Sequence, residues 1–174
     1  MQSMKLIIIA AAFLASQLCL ALEHKLDRFT GAESWSINEP FAERHSRASI
    51  GPDTVTLYAS PRPGGMVVIF LRVGTTNRSG RGGGWRYLGF DTMNWLFDGK
   101  PKTLSPAMTN RDVSSGWVSE SFTQPLSLKE LVEIGSSERV ELRIGLDEFV
   151  LPAGILAAAR DAAANIRAAT ATKG

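Results

Sequence analysis

The stretch Val140-Glu141-Leu142-Arg143-Ile144-Gly145-Leu146-Asp147-Glu148-Phe149-Val150-Leu151-Pro152 decides the fold class. Apolar side chains recur at every second position from Val140 to Ile144, which is the period of a strand with one wet face. Val140, Leu142 and Ile144 then face a core, and Glu141 and Arg143 face water. Gly145-Leu146-Asp147 turns the chain into a second strand, Glu148-Phe149-Val150-Leu151. Pro152 lacks a backbone N–H and has its φ fixed, which suits the first turn of a helix. In that closing helix Ile155, Leu156, Ala159, Ala163 and Ile166 share one stripe, with Arg160, Asp161 and Arg167 away from it.

Working back toward the N-terminus, Ser127-Leu128-Lys129-Glu130 has capping-box spacing and starts a short helix that ends at Gly135. Gly116 to Phe122 reads as a strand. Asn94 to Phe97 and Lys100 to Leu104 read as a hairpin, because Asp98-Gly99 tolerates the positive φ of a tight turn. Thr54 to Ala59 alternates. Met66 to Leu71 is apolar at both alternations, which predicts a central strand covered on both faces. Trp85 to Leu88 resumes extended structure after the glycine-rich stretch, and residues 23–53 read as irregular, with Trp35, Ile37, Phe41 and Ile50 as isolated anchors. The prediction is an α+β fold. One domain over residues 22–169 holds an antiparallel sheet of hairpins, a short helix and a C-terminal helix packed on the sheet, and residues 170–174 form a frayed tail.

The N-terminus points to a compartment. Lys5, the apolar run Leu6 to Ala15, and the small residues Cys19 and Ala21 have the layout of a secretory signal peptide over residues 1–21, with cleavage after Ala21. The run is too short to span a bilayer, which needs roughly 20 residues, so no transmembrane segment is expected after cleavage. Leu18 is too large for a lipid-attachment site at Cys19. Cleavage removes the only cysteine, and with it any disulfide, thiol nucleophile or cysteine ligand. The expected location is the periplasm or the exterior. Loss of Lys5 lowers the formal net charge from +2 to +1, too little positive excess for nucleic acid.

Charge is unevenly distributed. Between Asp53 and Asp91 there is no acid, but Arg62, Arg72, Arg78, Arg81 and Arg86 all fall there. From Asp112 to Glu148 eight acids stand against Lys129, Arg139 and Arg143. This predicts either an anion-facing surface or two segments that neutralise each other in the fold, and the second reading is the more economical.

The stretches Asp27-Arg28-Phe29-Thr30, Gly84-Trp85-Arg86-Tyr87-Leu88, Phe97-Asp98-Gly99-Lys100-Pro101 and Gly116-Trp117-Val118-Ser119-Glu120 occur in that order. Pro125-Leu126-Ser127-Leu128, Val140 to Gly145 and Glu148 to Leu151 follow. In this order the chain resembles a loose family of small exported bacterial proteins without assigned function, over most of Asp27 to Ile166. The resemblance implies export and a single domain, and it carries over no catalytic residue.

The chemistry legible in the residues is sparse. His24 and His45 are the only histidines, too few for the three or four ligands of a zinc site, and Arg44 beside His45 repels a cation. No metal or cofactor is expected. No Gly-x-Ser-x-Gly elbow occurs. Glu120, Glu141, Asp147 and Glu148 could converge as a carboxylate pair, or could simply be solvated. The glycine-rich stretch Asn77 to Arg86 leads into no helix, so it is no phosphate cradle. Two readings remain for it: a mobile hairpin loop between two strands, or a surface patch of Arg78, Arg81, Trp85, Arg86 and Tyr87. Such a patch would suit an acidic glycan, a lipid headgroup or an envelope protein. The leading expectation is a non-catalytic exported domain that binds at the cell envelope. The alternative is a carboxylate-dependent hydrolase acting on envelope polymers. A third reading is an accessory subunit of an envelope complex, with the four tryptophans partly serving an interface.

Overall fold

The computed structural model describes residues 22–28, 33–41, 43–45, 54–61, 67–78 and 84–171, with side chains omitted at 43–45, 67, 77 and 78. The expected signal segment 1–21, Arg81 with most of the glycine-rich stretch, and residues 172–174 lie outside the described residues.

In chain order the elements are β1 (Glu23–Leu26), β2 (Glu33–Pro40), β3 (Glu43–His45), β4 (Thr54–Pro61), β5 (Val67–Arg78), β6 (Met93–Phe97), β7 (Lys100–Lys102), β8 (Met108–Ser114) and β9 (Trp117–Pro125). After these come α1 (Leu128–Ser136), β10 (Val140–Ile144), β11 (Asp147–Val150) and α2 (Ala153–Ala171). The strands make two antiparallel sheets rather than the one expected. One runs β1-β2-β4-β5-β9-β8 and the other β3-β11-β10-β6-β7. The fold is α+β, as predicted, with α2 lying against β2 and β4 and α1 packed on α2.

Several elements follow directly from local chemistry. Ser127 Oγ accepts from Glu130 N at 3.2 Å, and Ser127 N donates to the Glu130 carboxylate at 2.7 Å, so both halves of the capping box exist. Asp98 and Gly99 take φ of +50° and +74°, the conformation that matches strand twist in a two-residue hairpin. The Asp98 side chain also accepts from the amides of Glu138 and Arg139 at 2.9 Å each, tying this turn to the start of β10. Val140, Leu142 and Ile144 are buried on one face of β10 as expected. All five stripe residues of α2 are buried, joined by Ala158 and Ala162.

Other expectations need correcting. Residues 23–53 are not irregular throughout: β2 alternates Trp35, Ile37 and Glu39 inward, at 6–7% exposure. Glu39 broke the apolar alternation in the sequence, yet it is buried, and burial raises its pKa above the usual carboxylate value. It lies on Gly154 in the first turn of α2, where any Cβ would strike its carboxylate. β5 is central, between β4 and β9, but it buries only one face. Ile69, Leu71 and Val73 point inward, while Val68 is 38% exposed and Arg72 faces out. β8 was not foreseen; its alternate positions Met108, Asn110 and Asp112 are exposed.

Trp85 to Leu88 is a turn, not a strand. Phe90 N donates to Tyr87 O at 3.0 Å, and Gly89 has φ +89°. A strand would send the side chains of Arg86 and Tyr87 to opposite faces, but here both reach the same carboxylate. The segment after β5 thus crosses from the first sheet to the second instead of returning as a hairpin.

Candidate functional site

Glu120 sits at an inward position of β9, between Val118 and Phe122, and is 2% exposed. A buried carboxylate is tolerated only where hydrogen bonds replace its water. Here its Oε2 accepts from Arg86 N at 2.6 Å, and its Oε1 accepts from Tyr87 N at 3.0 Å. Asp147 begins β11 and is also buried, rather than lying in the turn before that strand. Its Oδ2 accepts from Arg86 Nε at 2.8 Å and from the Tyr87 hydroxyl at 3.0 Å. The Arg86 guanidinium carbon lies 5.2 Å from the Tyr87 ring centroid, and that ring meets Phe122 edge-on. Arg111, on β8 beside Glu120, donates through Nη2 to Tyr87 O at 3.2 Å, Phe90 O at 3.0 Å and Asp91 Oδ1 at 2.9 Å. The Phe90 ring covers Gly145, where an added Cβ would come within 3.1 Å of it.

Three segments are therefore knitted together at one end of the molecule: the turn 84–91, the β8–β9 hairpin and the β10–β11 turn. Two buried carboxylates and two arginines hold them from beneath.

Of the expected patch residues, the structure brings Arg86 and Tyr87 together but turns them inward. The Arg86 side chain is 8% exposed and Tyr87 is 2% exposed. Neither forms the exposed arginine–aromatic surface expected from the sequence, because each is drawn to a buried carboxylate that must be compensated. Among the patch side chains that are described, Trp85 is the one that faces solvent, at 38%. Arg78 closes β5 opposite Trp117 through its backbone. The Arg86–Asp147 pair joins the acid-free segment to the acidic one at one point.

Of the four candidate carboxylates, Glu120 and Asp147 meet around Arg86 and Tyr87. Glu141 instead pairs with Arg139 at 3.0 Å, and Glu148 stands 4.0 Å from Arg143. Arg111 was missed. Its partners are backbone carbonyls of a turn twenty residues upstream, which leave no mark in the sequence. Glu120 did carry a signal, since the period of two puts it on the same face as Val118 and Phe122.

A groove of about 530 Å³ adjoins this end, lined by Asp91, Asn94, Leu96, Leu104, Arg143 and Glu148 among others. Trp95 also contributes to its wall, with a buried indole N–H that has no hydrogen-bond partner among the described residues. Among the described residues no group of three or more His, Cys, Asp or Glu side chains could hold a metal ion. Comparison with family models, with curated proteins and with solved structures finds no match to this chain.

The cluster makes a stability prediction. Asp147→Ala takes from the buried Arg86 guanidinium and Tyr87 hydroxyl an acceptor that they share, a loss of about 3–5 kcal/mol. Asp147→Asn keeps one acceptor for the hydroxyl and falls between the alanine variant and the wild type. Urea titrations of the three proteins check this, and coincident midpoints would show that the cluster contributes nothing.

Proposed function

We propose that the chain is an exported, non-catalytic domain that binds at the cell envelope through the end where its three turns meet. One observation carries this reading. Both oxygens of buried Glu120 accept from the amides of Arg86 and Tyr87, Oδ2 of Asp147 accepts from their side chains, and the turn they hold presents Trp85, Leu88 and Phe90 to solvent. A general acid or nucleophile needs an oxygen that can reach a substrate, whereas these oxygens serve to fix a loop. The signal-like layout from Lys5 to Ala21 supports export. The inward pairing of Arg86 removes a positive charge from the surface, so an acidic polymer is supported less than an apolar or mixed partner.

The purified mature chain, incubated with washed bacterial envelope fragments, is expected to sediment with them and to release no soluble sugar or peptide ends. Catalytic release that disappears in Glu120→Gln would favour the hydrolase instead.

A further inference from the structure

We infer that the outer face of the first sheet carries a site for a neutral saccharide, floored by Gly74. It is a second site, on the side of the sheet away from the core and from Glu120, and it does not depend on the end where the turns meet. The strand register makes it contiguous. Thr54, Gly74, Ser121 and Asn110 stand side by side across β4, β5, β9 and β8. Thr56, Arg72, Thr123 and Met108 form the next row on one side, and Thr76, Ser119 and Asp112 the next on the other. Residues two apart on a strand share a face, so the three rows make one surface. Gly74 leaves its middle without a side chain. The result is a cavity of about 340 Å³ lined by Thr54, Thr56, Arg72, Asn110, Asp112 and Ser121 among others, at the small end of the range of about 300–1,000 Å³ for ligand pockets. The Thr54 hydroxyl borders the dip, 3.5 Å from where a Cβ on Gly74 would lie.

The lining selects the ligand. Hydroxyls and amides both donate and accept, so this floor answers a molecule whose own groups do both, as the hydroxyls of a sugar ring do. Arg72 and Asp112 are exposed at opposite corners of the cavity and balance in charge. An anion would only accept, and it would set its charge against Asp112. Thr56 donates to Asn38 at 2.8 Å. Thr54, Arg72, Asn110, Asp112 and Ser121 have no side-chain hydrogen bond or ion pair with another described residue. Ser121 is 5% exposed and lines the cavity. A buried hydroxyl left without a partner is costly, and a ligand hydroxyl supplies one. One row beyond Thr56 and Arg72, Tyr58 and Phe70 are cross-strand partners, half-buried and stacked with ring centroids 4.9 Å apart. Their aromatic surface suits the apolar C–H face of a sugar ring. A second ring of an oligosaccharide therefore meets this pair when the first occupies the Gly74 dip, and the saccharide runs along β4 and β5.

The test is calorimetric titration of the mature chain with maltohexaose, cellohexaose and chitohexaose, and with polygalacturonate as an acidic comparison. Saturable binding of at least one neutral hexasaccharide is expected, tighter than that of polygalacturonate. Gly74→Val fills the dip and should weaken that binding at least about tenfold, since it removes the volume the ring occupies. Valine is the better strand former, so the melting temperature of this variant should not fall. Arg72→Ala removes an exposed charged donor and should weaken binding by about tenfold, the worth of one charge-assisted hydrogen bond. It decides the matter alone if Gly74→Val does not fold. Leu88→Ser, on the turn at the end of the molecule, should bind the hexasaccharide as the wild type does. Failure of all three neutral hexasaccharides to bind overturns the inference. So does binding that the folded Gly74 and Arg72 variants retain, or tighter binding of polygalacturonate. Capture by envelope fragments that Leu88→Ser abolishes while the hexasaccharide still binds would show two separate sites, as inferred.

Discussion

Leu142→Asp leaves the domain unfolded at room temperature, whereas Glu141→Ala barely moves its melting temperature. The two positions are adjacent on β10, and only the face differs. Leu142 is 2% exposed and lies between Trp95 of β6 and Phe149 of β11 in the register. A carboxylate there would lose its hydration, and the unused indole N–H of its cross-strand neighbour Trp95 replaces only a part of it. The penalty comes on top of the lost leucine packing, together about 5 kcal/mol or more against a total stability of about 5–15 kcal/mol. Glu141 faces outward and pairs with a half-exposed Arg139. Such surface pairs contribute about 0–1 kcal/mol. Melting curves followed by circular dichroism decide the matter. A cooperative transition for Leu142→Asp within a few degrees of Glu141→Ala would mean the strand face is wrongly assigned.

Gly135→Ala is expected to cost about 3 kcal/mol, although alanine is the better helix former by about 1 kcal/mol. The reason is the crossing of α1 over α2. A Cβ at Gly135 would lie 2.7 Å from Arg160 N and 2.9 Å from its Cα. These are backbone atoms, and no rotamer change relieves the overlap; the helices must separate. Separation also strains the two hydrogen bonds from the Arg160 guanidinium to Gly135 O, at 3.0 and 2.9 Å. Gly84→Ala provides the contrast, since nothing lies within 4 Å of its added methyl. Denaturant midpoints for both variants test the claim, and equal stabilities would rule out a close helix crossing.

The features legible in the sequence are those whose cause is local. Ser127 and Glu130 are three residues apart, Asp98 and Gly99 are adjacent, and the α2 stripe repeats within each turn, so one window of sequence contains the whole interaction. β2 was missed because buried Glu39 interrupts the apolar alternation begun by Trp35 and Ile37. β8 was missed because an edge strand with exposed alternate positions shows little apolar pattern. The candidate site was half legible. Glu120 and Asp147 were singled out as carboxylates, and Arg86 and Tyr87 as an anion patch, without any sign that the two sets meet. Asp147 and Arg86 are 61 residues apart in the chain, and their meeting is set by how the two sheets dock.

The interleaving of those sheets also governs when the molecule can come into being. β3 pairs with β11, matching His45 with Glu148 across most of the chain, and β6 and β7 leave for the second sheet between β5 and β9 of the first. The last helix, α2, is the element that covers β2 and β4. A chain emerging from its N-terminus therefore exposes the row of Trp35, Ile37, Val55 and Leu57 until its final residues arrive. Pairings this distant close slowly. Until α2 packs, that apolar row stays uncovered, a surface of the kind that aggregates or that a chaperone binds.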